Sequence, residues 1–218
     1  MLGHLITHDD DLRMVPTDHP ELTAAVVRLH EELRSLPDGA NPGRRRLLAR
    51  WIGIGRMCLG HHEEARTFLQ QALDLAATLG DTQAVVATGL NLADAHRYAG
   101  DVQGADALYR TALGTARSQC PGLVDFALQH TGKHLMERGD LAAARTHLQE
   151  ALRLRITKGD TELVGSTQEA LDRVELLLDR AAHTVTSLSP VPFPPGRSDE
   201  PSAPGRPSVH GPGPGGGW

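Results

Sequence analysis

Apolar and polar positions along most of this chain alternate with a helical period rather than a strand period, and the pattern repeats. Three stretches, Gly60–Leu73, Gly100–Leu113 and Gly139–Leu152, align at spacings of 40 and then 39 residues. Counting from an alanine in each (Ala65, Ala105, Ala144), apolar or small residues fall largely at i, i+3, i+4, i+7 and i+8. That spacing lays one continuous stripe along a helix of 3.6 residues per turn. Before each glycine lies a second helical stretch, roughly 44–59, 83–99 and 122–138, with a small residue seven positions ahead of the glycine: Gly53, Ala93 and Gly132. Small residues there predict that the paired helices cross closely.

The turn glycines read as helix C-caps, where a left-handed residue ends one helix and opens a tight turn. Gly80-Asp81 and Gly159-Asp160 repeat that logic between hairpins, with each aspartate placed to accept hydrogen bonds from the free amides of the next helix. Pro121, after Cys120, marks another helix start. The predicted unit is helix, turn, helix, turn, made three times.

Upstream, Asp18-His19-Pro20-Glu21 combines an N-cap, an early proline and an acidic first turn, followed by Leu22, Val26, Leu29, Leu33 and Leu36. This predicts a helix covering the first hairpin, broken by Pro37–Gly43. Downstream, 161–182 reads as a capping helix with a broad apolar side, needed because a terminal repeat has only one neighbour. The expected organisation is a flexible N-terminus over 1–17, a helix and Pro/Gly linker over 18–43, a repeat domain with its cap over 44–182, and a tail over 183–218. Nine of the fourteen prolines lie between Pro190 and Pro214, so the tail is expected to be disordered, its ordering entropy unmatched by apolar burial. Within it Pro192–Arg197 and Pro201–Arg206 form PxxPxR patterns, which the composition of the tail accounts for without a reader domain.

The turn glycine, the alanine five residues later, Leu69, Tyr109 or Leu148 nine later and Ala72, Ala112 or Ala151 twelve later together resemble the tetratricopeptide repeat. The resemblance covers about 44–159. A period of 39–40 residues in place of about 34 makes it similar to the longer variety of kinesin light chains and bacterial regulatory tetratricopeptide proteins. HEAT-like repeats, also near 40 residues, are the structural alternative. The fold class expected is all-α: a tetratricopeptide-like α-solenoid of three helical hairpins, with flanking capping helices and a disordered C-terminal tail.

Composition narrows the function. A formal charge of −5 argues against phosphate-backbone binding, despite the short run Arg44-Arg45-Arg46, which reads as a solvated helix start. Cys58 and Cys120 have no second thiol at metal or redox spacing, and no apolar run spans a bilayer or resembles a signal peptide. A cytoplasmic protein is expected, without direct nucleic-acid or membrane partners. No catalytic motif is present and no cofactor or metal is expected. His130 and His134 stand one turn apart with Glu137 a turn further, but a metal needs a fixed third ligand and a second shell.

The resemblance implies that the first helix of each hairpin faces the groove. Counting from the turn glycines, it points to Arg50, Ile54 and Met57, then Asn91, Asp94 and Arg97, then Gln129, His130, Lys133 and Glu137. Arg50 and Asn91 match two positions of the tetratricopeptide clamp for a chain-terminal carboxylate. Ile54 and Phe126 put apolar side chains at others, so capture of a carboxylate tail is not expected. The expected function is a non-catalytic adaptor or regulatory module holding a protein or peptide segment. The rivals are a scaffold that self-associates, as a homodimer, through the Leu176-Leu177-Leu178 helix, and a peptide-sensing regulator that acts through a partner.

Overall fold

The structure, a computed structural model, describes residues 2–37 and 39–187. Eight α-helices follow one another among them: α1 (His19–Ser35), α2 (Pro42–Cys58), α3 (His62–Thr78), α4 (Thr82–Tyr98), α5 (Val102–Gln119), α6 (Val124–Glu137), α7 (Leu141–Lys158) and α8 (Thr161–Ser187). Helices α2/α3, α4/α5 and α6/α7 are the three hairpins, packed in sequence order, with α1 and α8 against the ends.

Local chemistry explains the boundaries. Asp18 accepts a hydrogen bond from the Glu21 amide at 2.7 Å and Asn41 one from Arg44 at 3.1 Å, each followed closely by proline. Asp81 and Asp160 cap α4 and α8 as expected, through the amides of Ala84 and Leu163, and Asp101 does the same for α5 through Gly104. Pro121 opens a 3-10 turn, Pro121–Leu123, that leads into α6. Gly60, Gly100 and Gly139 sit at φ +81°, +80° and +82°, where a side chain is strained. The next amide in each turn reaches back to Arg56, His96 or Leu135, closing the helix end with a Schellman-type bond.

The small residues allow the crossings they predict. A Cβ on Gly53 meets Leu69 Cγ at 2.6 Å, and one on Gly132 meets Leu148 Cγ at 2.7 Å. The alanines of the outer helices are sealed between neighbours: Ala65, Ala72, Ala105, Ala144 and Ala151 lose all exposure. Three core clusters result, one under α1 and the first hairpin, one under the middle hairpin, and one between the third hairpin and α8. In α8, Leu171 and Val174 are buried and Leu177 and Leu178 pack half-buried on the third cluster, leaving Leu176 exposed. Helix α8 continues to Ser187, beyond the boundary expected at 182, and the rest of the expected tail lies outside the described residues. The two PxxPxR patterns lie there as well.

The N-terminus departs from expectation. Instead of a flexible 1–17, residues 3–5 make a 3-10 turn, and β1 (Ile6–His8) pairs antiparallel with β2 (Met14–Pro16) in the register Thr7 with Val15. The linking loop is shaped by Asp9, whose carboxylate accepts from the Asp11 and Arg13 amides at 3.0 and 2.9 Å. Leu12 holds the left-handed φ of +60°, costing about 1 kcal/mol for a residue with a Cβ. Its burial in the third core cluster offsets this, a fully buried leucine contributing about 1.5–3 kcal/mol. Leu2 and Leu5 enter the first cluster. Residues 2–16 therefore bridge both ends of the array.

Candidate functional site

Helices α2, α4 and α6 stand side by side and form the inner wall. A cavity of about 330 Å³ opens between this wall and the N-terminal hairpin, which supplies Gly3, Ile6, His8, Leu12 and Met14 to its lining. Of the ten residues expected in the groove, Arg50, Ile54, Asn91, Asp94, Arg97, Gln129, His130 and Lys133 line it. Met57 does not: it is buried in the first core cluster, because the same helix must also cover α1 and the hairpin. Glu137 lies beyond the cavity, where it accepts a hydrogen bond from Arg13 Nε at 2.7 Å and pairs with Arg97 at 3.2 Å.

Asp94 organises the middle of the wall. Fully buried, it accepts from Tyr109 Oη at 2.5 Å and Arg97 at 3.1 Å, while His130 Nδ1 stands 2.7 Å from its other oxygen. Burial by itself raises a carboxyl pKa, but the His130 and Arg97 charges and the hydrogen bonds from His130 and Tyr109 outweigh it and hold Asp94 below the ordinary value. Arg97 is thus a structural partner of Asp94, and it stacks over Tyr98 at 4.9 Å. His134, one turn from His130, turns away to Asp106 at 2.7 Å, so the two imidazoles do not share a site.

The remaining cations differ. Arg50 donates through Nε to Asn91 at 2.9 Å and lies beside the Trp51 ring; burial, then the nearby Arg46 charge, lowers its pKa. Lys133 is 7 % exposed and reaches only the Leu12 carbonyl, at 3.5 Å. Burial pushes its pKa down to about 8, Asp94 partly opposing. Among the described residues neither cation forms an ion pair with a carboxylate. By contrast, the basic run that reads as solvated is engaged within the chain: Arg44 pairs with Glu32, Arg45 donates to the Leu36 and Pro37 carbonyls, and Arg46 pairs with Asp81.

Two features escaped sequence reasoning. Arg155 is buried, bonded to Asp125 at 3.0 Å, Thr167 at 2.5 Å and the Leu163 carbonyl, and so ties α6, α7 and α8 together at one end of the cavity. The signal was present: sixteen residues after the turn glycine, the other two repeats carry the fully buried Ala76 and Ala116. The second is the hairpin, fastened by Arg13 to Glu137 and Tyr98, by the Met14 amide to Tyr98 Oη at 2.6 Å, and by Asp11 to Arg173 at 3.6 Å. Three-residue strands leave too short an alternation to read.

These hairpins define a tetratricopeptide-like α-solenoid. No family model and no curated protein matches the chain. Solved structures do. The crystal structure of BtubC (BKLC) from P. vanneervenii aligns at a TM-score of 0.54 and 18% identity, over 85% of this chain and 82% of that one. Nearly identical TPR-like repeats assigned to a kinesin light chain of Podosopora anserina align at 0.56 in a single-residue variant, with 17% identity over 78% and 84% of the two chains. A second structure of those repeats aligns at 0.53, with 16% identity over 78% and 90%. The longer-period tetratricopeptide resemblance read from the turn glycines and alanines therefore holds for the fold, and these identities speak to nothing finer. Among the described residues no helix is long and apolar enough to cross a membrane.

Proposed function

We infer that this chain is a non-catalytic protein-binding module of the cytoplasm, in which the inner wall of the solenoid receives an extended segment of a partner protein. The observation that carries this reading is that the wall already holds a segment of polypeptide, its own residues 2–16, folded as a 3-10 turn and a two-stranded hairpin. Main-chain groups of that stretch are satisfied by wall side chains, Tyr98 on the Met14 amide and Lys133 on the Leu12 carbonyl, which is how a groove recognises a chain irrespective of its sequence. A partner segment competes with the hairpin for the wall. Self-association through α8 has less support, since Leu177 and Leu178 fold onto the chain's own core. A regulatory role acting through a partner fits the same groove.

The test is capture of partners by the full chain, followed by amide exchange of the captured complex. A partner that occupies the wall strips protection from the Thr7 and Val15 amides, and Arg13→Glu, which sets a carboxylate against Glu137 and loosens the hairpin, strengthens its retention. Partners that leave the hairpin protected and ignore Arg13→Glu place binding elsewhere and end this reading.

A further inference from the structure

The cavity between hairpin and wall has a charge balance that the solenoid does not need. Its other buried charges have partners close by: Asp94 pairs with Arg97 and is hydrogen-bonded to His130, and Arg155 pairs with Asp125. Among the described residues Arg50 on α2 and Lys133 on α6 are left without a carboxylate partner, on opposite sides of α4, both partly or wholly removed from water and both lining the same cavity. Leaving a buried cation without a counter-ion is costly, and replacing it by an apolar residue is usually stabilising. Two such cations lining one cavity define a site for an anion. Asn91, Gln129 and Ser166 add neutral hydrogen-bonding groups, while Trp51, Ile54 and Phe126 supply an apolar lining.

We propose that this cavity binds a small organic carboxylate with an apolar body, its carboxylate between Arg50 and Lys133 and its body against Trp51, Ile54 and Phe126. The size agrees: about 330 Å³ lies at the lower end of small-molecule sites and has room for about ten water-sized groups. With residues 2–16 seated over it, the cavity takes a small molecule and not a stretch of protein. The ligand is therefore distinct from the partner segment proposed above, and the two readings stand or fall separately.

The test uses the full chain carrying Trp218→Phe, which leaves Trp51 as the sole tryptophan. Aliphatic and aryl monocarboxylates from butyrate to 4-phenylbutyrate are titrated at neutral pH, with the Trp51 emission and the heat of binding both recorded. The matching primary amides and inorganic phosphate are titrated in parallel. The expected result is saturable binding of the larger carboxylates, with the amides and inorganic phosphate at least about tenfold weaker and Arg50→Gln and Lys133→Met each weakening binding about tenfold. Affinity should fall as the pH rises through about 8, where Lys133 loses its proton. The groups around that ammonium are His8 from the hairpin, Asp94 and Arg97 from α4, His130 from α6, Arg155 from α7 and Glu169 from α8. His8 is already neutral at that pH, since loss of water and then the Lys133 and His130 charges press it down to about 4, although its outer edge is exposed. Lys133→Met removes a buried charge and is expected to retain the fold, so with helicity equal to that of the parent chain its failure to bind is readable. Absence of saturation by any carboxylate, equal binding of the amides, equal binding of inorganic phosphate, or indifference to both substitutions overturns the proposal.

Discussion

The outer helices α3, α5 and α7 and the inner helices α2, α4 and α6 pack into one array, yet they use their repeat positions in opposite ways. Nine residues after the turn glycine, the outer helices place Leu69, Tyr109 and Leu148, each at most 1 % exposed and each packed against the inner helix of its own hairpin. Six residues before it, the inner helices place Ile54, Asp94 and Lys133, also buried, but apolar, anionic and cationic in turn. Outer positions repeat because every hairpin needs the same filler where its two helices cross. Inner positions diverge because they face a space that no neighbouring repeat fills. Tyr109 shows the two rules meeting: the filler carries a hydroxyl in the middle repeat, where Asp94 takes its hydrogen bond.

The comparison can be broken most severely at Asp94. Asp94→Ala leaves Arg97 buried without its partner and is expected to cost about 3–5 kcal/mol in urea unfolding; a loss below about 1 kcal/mol shows that Glu137 alone satisfies Arg97. Leu69→Ala and Leu148→Ala come next, at about 2–5 kcal/mol each. Because they fill equivalent gaps over Gly53 and Gly132, their costs should agree to about 1 kcal/mol, and a wide split contradicts the equivalence.

Lys133→Met is expected to act in the other direction, raising stability at neutral pH by about 1–3 kcal/mol. The lysine's pKa is near 8 in the folded chain and 10.5 when free, so below pH 8 the protein carries the full penalty of burying a charge. Between pH 8 and 10.5 the unfolded chain binds more protons than the folded one, and the wild-type protein gains stability relative to the variant. The advantage of Lys133→Met should therefore shrink over that window; chemical denaturation at about pH 7 and about pH 10 reads it directly. The smallest effect belongs to Arg13→Ala, about 0.5–1 kcal/mol, since Arg13 is a partly exposed ion-pair partner. Its sign is clearest in hydrogen exchange, where β1 and β2 should lose protection while α2–α7 keep theirs. Uniform loss across the helices makes the hairpin part of the global fold and not a separable cover.

The repeat was legible because its determinants are local and recur: a glycine able to take positive φ, an alanine stripe at helical spacing, a capping aspartate. The site was legible in part. Eight of ten expected residues line the cavity, since helical registry from the turn glycine decides which side chains face inward. Met57 failed because registry says which way a residue points and not whether another element already covers it. Arg155 was missed although a charged residue stood where the other repeats have buried alanine, a contrast that marks a buried ion pair once the copies are compared column by column.

By itself the sequence determined the helical hairpins, their close crossings at Gly53 and Gly132 and the capping of the array by α1 and α8, because each follows from backbone conformation and side-chain period over a few residues. Only the tertiary structure decided that residues 2–16 lie across the inner wall, that Asp94 engages Arg97 and His130, and that Arg50 and Lys133 have no carboxylate partner among the described residues. Those outcomes depend on contacts between residues as far apart as Leu12 and Lys133, and such contacts are chosen by the shape and charge of the whole groove, which no single stretch of the chain encodes.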